Sequence, residues 1–261
     1  MTGHPLDAVI AEASGLEVGG WPMTIVRRDA PGDGFERSDE LHRPGPRLAA
    51  CVDASAALGG TEHRHVGAQW WFERCAFLVT GAAIAFALTS RRMPSLRACD
   101  TFIVESDGIP AALGIADAPL VLDRPGVTDA ELASVAREQI EGHLMPLAEA
   151  ISTARLRSPV PLWRSAGDRT VQAALWVGSA TDRREETVAL ARGILAPGTR
   201  MHVPVRLSAP LEDPTCEHLR RSCCLAHRSG TGTICTGCPR THGRDRPPRS
   251  GPATSLPHRV P

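Results

Sequence analysis

The chain of 261 residues contains no lysine, no tyrosine and no asparagine, and all 29 of its basic residues are arginine. These absences exclude Schiff-base catalysis, a Walker-type phosphate loop and a tyrosine acid or nucleophile. No serine lies in a G-x-S-x-G setting, so nucleophilic hydrolysis has no support. The first fifteen residues lack a basic start followed by an apolar run, and no secretory signal is expected. The longest apolar run, Cys75 to Leu88, falls short of the ~20 residues that span a bilayer and reads as a buried core helix. A cytoplasmic protein is expected, in which the eight cysteines stay reduced or bind metal and do not build a disulfide frame.

The net charge of zero conceals an asymmetry. From Cys216 to Pro261 eight arginines face only Glu217 and Asp245, so an acidic body carries a basic end. Residues 1–45 read as loosely built, with turns at Gly19-Gly20 and Pro31-Gly32-Asp33-Gly34. Residues 46–213 form the body. A helix over about 48–58 stops at Gly59-Gly60, and a longer one runs from about Glu62 to Ser90. Thr101–Glu105 and Ile109–Ile115 read as a hairpin turning at Asp107-Gly108, with a third strand at Leu120–Leu122. Thr128 and Glu131 form a capping box for a helix that Pro146 should kink or split. Further helices open near Asp168 and cover about 184–195. The expected class is α+β: a mostly helical body with a small antiparallel β element and a cysteine-rich C-terminal segment. Residues 241–261, mainly Pro, Arg, Gly and Ser, are expected to be a disordered tail.

Residues 214–240 hold the chemistry. Cys223, Cys224, Cys235 and Cys238 form the pattern C-C-x10-C-x2-C. Two residues between Cys235 and Cys238 let both sulfurs face one ion. Adjacent side chains such as those of Cys223 and Cys224 diverge, which suits the two separated irons of an iron–sulfur cluster better than one zinc ion. Gly230, Gly232 and Gly237 would let backbone N–H groups approach the sulfurs, and Arg220, Arg221, Arg228 and Arg240 would offset negative charge. Cys216, seven residues upstream, reads as a bystander thiol.

This segment resembles the C-terminal [2Fe–2S] motif of the FhuF-like ferric siderophore reductases, including its Cys-Cys-Leu start and C-x-x-C-Pro end. The body is similar more diffusely, over roughly 60–200: a helix bearing Trp70 and Trp71, a hairpin with Asp107-Gly108, His143-Leu144-x-Pro146, and Leu162-Trp163 before the next helix. Ala226-His227 departs from the aromatic residue expected before the arginine.

The resemblance implies a one-electron reductase that binds a [2Fe–2S] cluster through Cys223, Cys224, Cys235 and Cys238. It would convert Fe(III) held by a siderophore to Fe(II), which hard oxygen donors hold less tightly. A ferredoxin or flavoprotein would supply the electron, since no NAD or flavin site is visible. No nucleic-acid partner is expected; peripheral membrane association near a siderophore importer is compatible with the sequence. The competing expectation is a zinc-stabilised binding module with a basic tail and no redox activity.

Overall fold

A computed structural model describes residues 5–242 apart from 15, 19, 20, 108, 118, 119, 231, 233 and 236. The chain opens with α1 (Pro5–Ala13), a short ladder of β1 (Glu17–Val18) with β2 (Trp21–Pro22), then β3 (Ile25–Arg27), β4 (Phe35–Arg37) and the single turn α2 (Ser38–Leu41). Helices α3 (Pro46–Leu58) and α4 (Arg64–Thr89) lead to β5 (Met93–Pro94), the hairpin β6 (Thr101–Ser106) and β7 (Ile109–Ile115), and β8 (Leu120–Leu122). Three helices follow: α5 (Asp129–Thr153), α6 (Pro159–Thr181) and α7 (Arg184–Ile194). A last helical turn, α8, spans Pro239–His242.

The fold is α+β and mostly helical. Helix α4 is its axis, because from Val66 to Leu88 it is buried on nearly every face and packs against α1, α3, α5 and α6. By length and composition α4 could cross a membrane, yet 78% of its apolar window is buried inside the fold. Its apolar character is used by the core.

A four-stranded sheet of order β3-β7-β6-β4 covers one end of this bundle. The hairpin forms as expected, but β3 joins β7 in parallel and so makes the sheet mixed. Strand β8 leaves the hairpin and pairs with β5 in a separate two-stranded ladder.

The first 45 residues, which read as loose, belong to the core. Leu6, Val9 and Ile25 are at most 2% exposed, and β3 and β4 form both edges of the sheet. Elements of two to four residues carry too little periodicity to be seen in sequence; long-range pairing makes them.

Helix α5 starts at the expected capping box and runs without a break through Pro146. An interior proline costs ~3 kcal/mol. Ile140 and Leu144 before it, and Leu147 and Ile151 after it, are all fully buried and hold both halves in line. Helix α6 begins nine residues earlier than expected, with Ser158 at its N-cap and Pro159 at its first position, so Leu162 and Trp163 lie inside it.

The turn residues Gly19-Gly20 and Gly108 lie outside the described residues, as do residues 243–261 of the expected tail. Thr241 and His242, assigned to that tail, complete α8.

Candidate functional site

After α7 the chain runs with little regular structure until it lies against α4 and α6. Two buried acids, one on each helix, hold it there. On α6, Asp168 is 1% exposed and accepts from His218 Nε2 at 2.8 Å, from the backbone N–H of Arg221 at 2.9 Å and from that of Ser222 at 2.7 Å. The Ser222 hydroxyl donates to it as well. A single carboxylate therefore fixes the backbone immediately before Cys223.

On α4, Glu73 is also 1% exposed and binds Arg220 Nη2 at 2.7 Å, Gln69 Nε2 at 3.0 Å and the Arg169 guanidinium. Burial pushes the Glu73 carboxyl up, but Arg220 and Arg169 outweigh it and hold it at about 2. Arg220 sits in the field of Cys224 and Cys235, and its buried Nε has no hydrogen-bond partner among the described residues.

Trp70 supplies a third anchor. Its ring lies so close to Gly59 that a Cβ there would come within 1.8 Å of it, and its Nε1 donates to the Cys224 carbonyl at 2.6 Å. Next to it the Gly230 N–H donates to the Gly59 carbonyl at 2.9 Å. Gly59-Gly60, read as a helix stop, thus also receives the cysteine loop. Leu225 takes a left-handed conformation at φ 64° and turns the chain after the cysteine pair.

Within this frame Cys224 and Cys235 come together, their sulfurs 3.1 Å apart. They titrate as a pair. The shared hydrogen bond lowers Cys224 to about 6 and raises Cys235, with burial adding to the rise. Cys223 points elsewhere, its sulfur 3.8 Å from His227 Nδ1. Cys238 is 4% exposed and within the electrostatic reach of Cys235. Among the described residues, no three His, Cys, Asp or Glu side chains gather closely enough to enclose an ion.

No family model and no curated protein matches the chain.

The segment offers four thiols, of which Cys224 and Cys235 touch, beside a buried arginine with one N–H left without a hydrogen-bond partner among the described residues. Soft sulfur donors next to a cation suit an anionic iron–sulfur group better than a hard cation. Thiolates sharing one tetrahedral metal at ~2.3 Å stand about 3.8 Å apart, so the Cys224 and Cys235 sulfurs, 3.1 Å apart, would have to separate to hold one. The divergence of Cys223 from Cys224 matches the expectation for neighbouring residues.

The expectation for the glycines is corrected. The N–H groups of Gly230 and Gly232 do not approach sulfur: they donate to the Gly59 carbonyl and, at 3.0 Å, to the Ser229 carbonyl. Gly237 is needed for a close approach, since its φ is 66° and a Cβ would lie 2.2 Å from the His218 carbonyl oxygen. Away from this site, Arg91 binds the Val127 carbonyl and Asp129 at the start of α5 and Arg92 binds Asp123, around a cleft of about 340 Å³. Cys216 stands apart, its thiol donating to the Ala209 carbonyl at 3.1 Å.

Sequence reasoning missed Glu73 and Asp168. Glu73 carried a signal, being the one acid on α4 and standing directly after Trp70-Trp71-Phe72, ahead of the helix's long apolar run. Asp168 carried none, because its partners lie some 50 residues later and are mainly backbone N–H groups.

Proposed function

We propose that the protein is a [2Fe–2S] ferric siderophore reductase acting in the cytoplasm, with Cys223, Cys224, Cys235 and Cys238 as cluster ligands. The observation that carries this reading is the pairing of Cys224 with Cys235 beside the buried Arg220, with Cys223 turned to a different neighbour. A buried cation offsets the formal −2 of four thiolates around a diferric core with two bridging sulfides, and a hydrogen-bond donor near sulfur helps set the potential.

The cluster, when bound, supplies the capacity to take up and pass on one electron. The chain's own residues do the rest. Asp168 fixes the backbone before Cys223, Glu73 holds Arg220 in place, and Trp70 pins the Cys224 carbonyl. Cys224 and Cys238, at 5% and 4% exposure, keep water from their side of the site. The electron comes from a ferredoxin or flavoprotein and reduces siderophore-bound Fe(III) to Fe(II). No acid, base or nucleophile takes part.

The test is the optical spectrum of anaerobically purified protein before and after dithionite, with iron, sulfide and zinc assayed on one sample. Bands that bleach, with about two irons and two sulfides per chain, support the reading. A colourless protein with one zinc that also resists reconstitution with iron and sulfide would make it a zinc-stabilised binding module instead.

A further inference from the structure

We infer that the surface around the cysteine loop is a docking site for an acidic protein. On the function proposed above, that protein is the electron donor. Arginines and histidines crowd together around this loop. Arg228 Nη1 lies 3.0 Å from His65 Nε2, and Arg240 Nη1 lies 3.2 Å from His227 Nε2. The rings of His63 and His65 stack with centroids 5.4 Å apart, and Arg157 donates to Gln69 at 3.0 Å. Arg221 is exposed beside them.

Among the described residues, no carboxylate forms an ion pair with Arg157, Arg228 or Arg240. Elsewhere Arg47, Arg92, Arg124 and Arg183 each hold an acid. The acids closest to the patch are already engaged: Glu73 with Arg169 and Arg220, Asp168 with the 218–222 backbone, and Asp53 with Arg64 at 2.7 Å. Glu62 at the edge, beside His63, is the exception. Cations placed this close to one another, Arg228 against His65 and Arg240 against His227, repel each other. An anionic partner would relieve that repulsion.

Apolar exposure decides what kind of partner. Among the described residues four large apolar side chains are exposed, and three belong to segments that meet at this loop. Ile234, 53% exposed, precedes Cys235. Leu58, 51% exposed, precedes Gly59, which receives Gly230. Val160, 58% exposed, lies on α6 three residues after Arg157. Apolar side chains standing out among cations match the composition of a protein interface, whereas a small chelate needs a concave site. Nucleic acid would lack stacking partners, because residues 218–242 contain no Phe, Trp or Tyr.

The test uses the full chain and a purified acidic [2Fe–2S] ferredoxin as probe, with binding measured by interferometry at low and high salt. Affinity is expected to fall as salt rises, and R228E/R240E to weaken binding about tenfold or more at low salt. Ile234→Ser is expected to weaken binding at both salt levels. R43E/R192E, with the same change of net charge elsewhere, should leave it unchanged. Equal loss in the R43E/R192E control, or binding indifferent to both salt and R228E/R240E, overturns the docking surface. So does an anionic ferric tris-catecholate that binds through Arg228 and Arg240 while the ferredoxin does not. The dithionite spectrum is read on the same samples. A bleaching cluster without ferredoxin binding sinks the docking surface alone; salt-dependent binding by a protein that holds no cluster keeps the surface and sinks the reductase reading.

Discussion

Glu73 and Arg220 stand 147 residues apart in sequence and meet at 2.7 Å, both largely withdrawn from water. Their contact joins the central helix to the segment that carries the four cysteines. A buried carboxylate held by two arginines is costly to break from one side, because the remaining charges stay in a poor solvent.

Glu73→Gln is therefore expected to destabilise the protein by about 3–5 kcal/mol in denaturant unfolding. The same acid makes stability pH-dependent. Its folded value of about 2 lies below the ordinary 4.5, so its contribution is complete above pH 4.5 and lost as pH falls towards 2. That contribution is on the order of 3 kcal/mol at neutral pH. The substitution should flatten the stability profile in this window, and an unchanged slope would refute the assignment.

A second acid sensitivity comes from His42 and His143, whose buried rings meet edge to face with centroids 5.0 Å apart. Burial lowers both, His143 to about 4. The unfolded chain takes up protons near pH 6.5 while the folded one does not, so stability drops from there towards pH 4. Among the described residues neither ring nitrogen of His42 has a hydrogen-bond partner of ordinary geometry. His42→Leu should stay within about 1 kcal/mol of the parent at neutral pH and reduce the slope between pH 6.5 and 4. A loss of several kcal/mol at pH 7 would show that His42 has a partner after all.

The turn between Cys235 and Cys238 depends on one glycine. Gly237→Ala places a methyl group against the His218 carbonyl and strains a left-handed backbone. Iron content should fall sharply while the helical circular dichroism and the unfolding midpoint of the body are retained. Full iron loading in this variant would show that the turn has room to shift.

The cysteines should divide sharply. Serine at Cys223, Cys224, Cys235 or Cys238 is expected to abolish or halve iron and sulfide content, and serine at Cys216 or the exposed Cys99 to leave both unchanged. Loss of iron in the Cys216 variant would add that thiol to the ligand set. Retention in any of the four would remove that position from it.

Trp70→Phe keeps the ring over Gly59 and removes the N–H that reaches the Cys224 carbonyl. The expected cost is about 1 kcal/mol, concentrated as faster amide exchange across 224–228. Uniform exchange behaviour along the chain would mean that the hydrogen bond does not anchor the loop.

Local pattern alone determined much of this protein. The helical period and apolar run of α4, the Thr128–Glu131 capping box and the alternation of the β6–β7 hairpin are encoded by neighbours within a few residues. The four cysteines stand out for the same reason, since their spacing is a property of one short segment. Tertiary structure decided what depends on residues far apart: β3 and β4 as sheet edges, α5 continuous through Pro146, and Trp70 as an anchor of the loop. Above all it decided the burial of Glu73 and Asp168. A buried acid is stable only once its partners arrive, and those partners come from the other end of the chain.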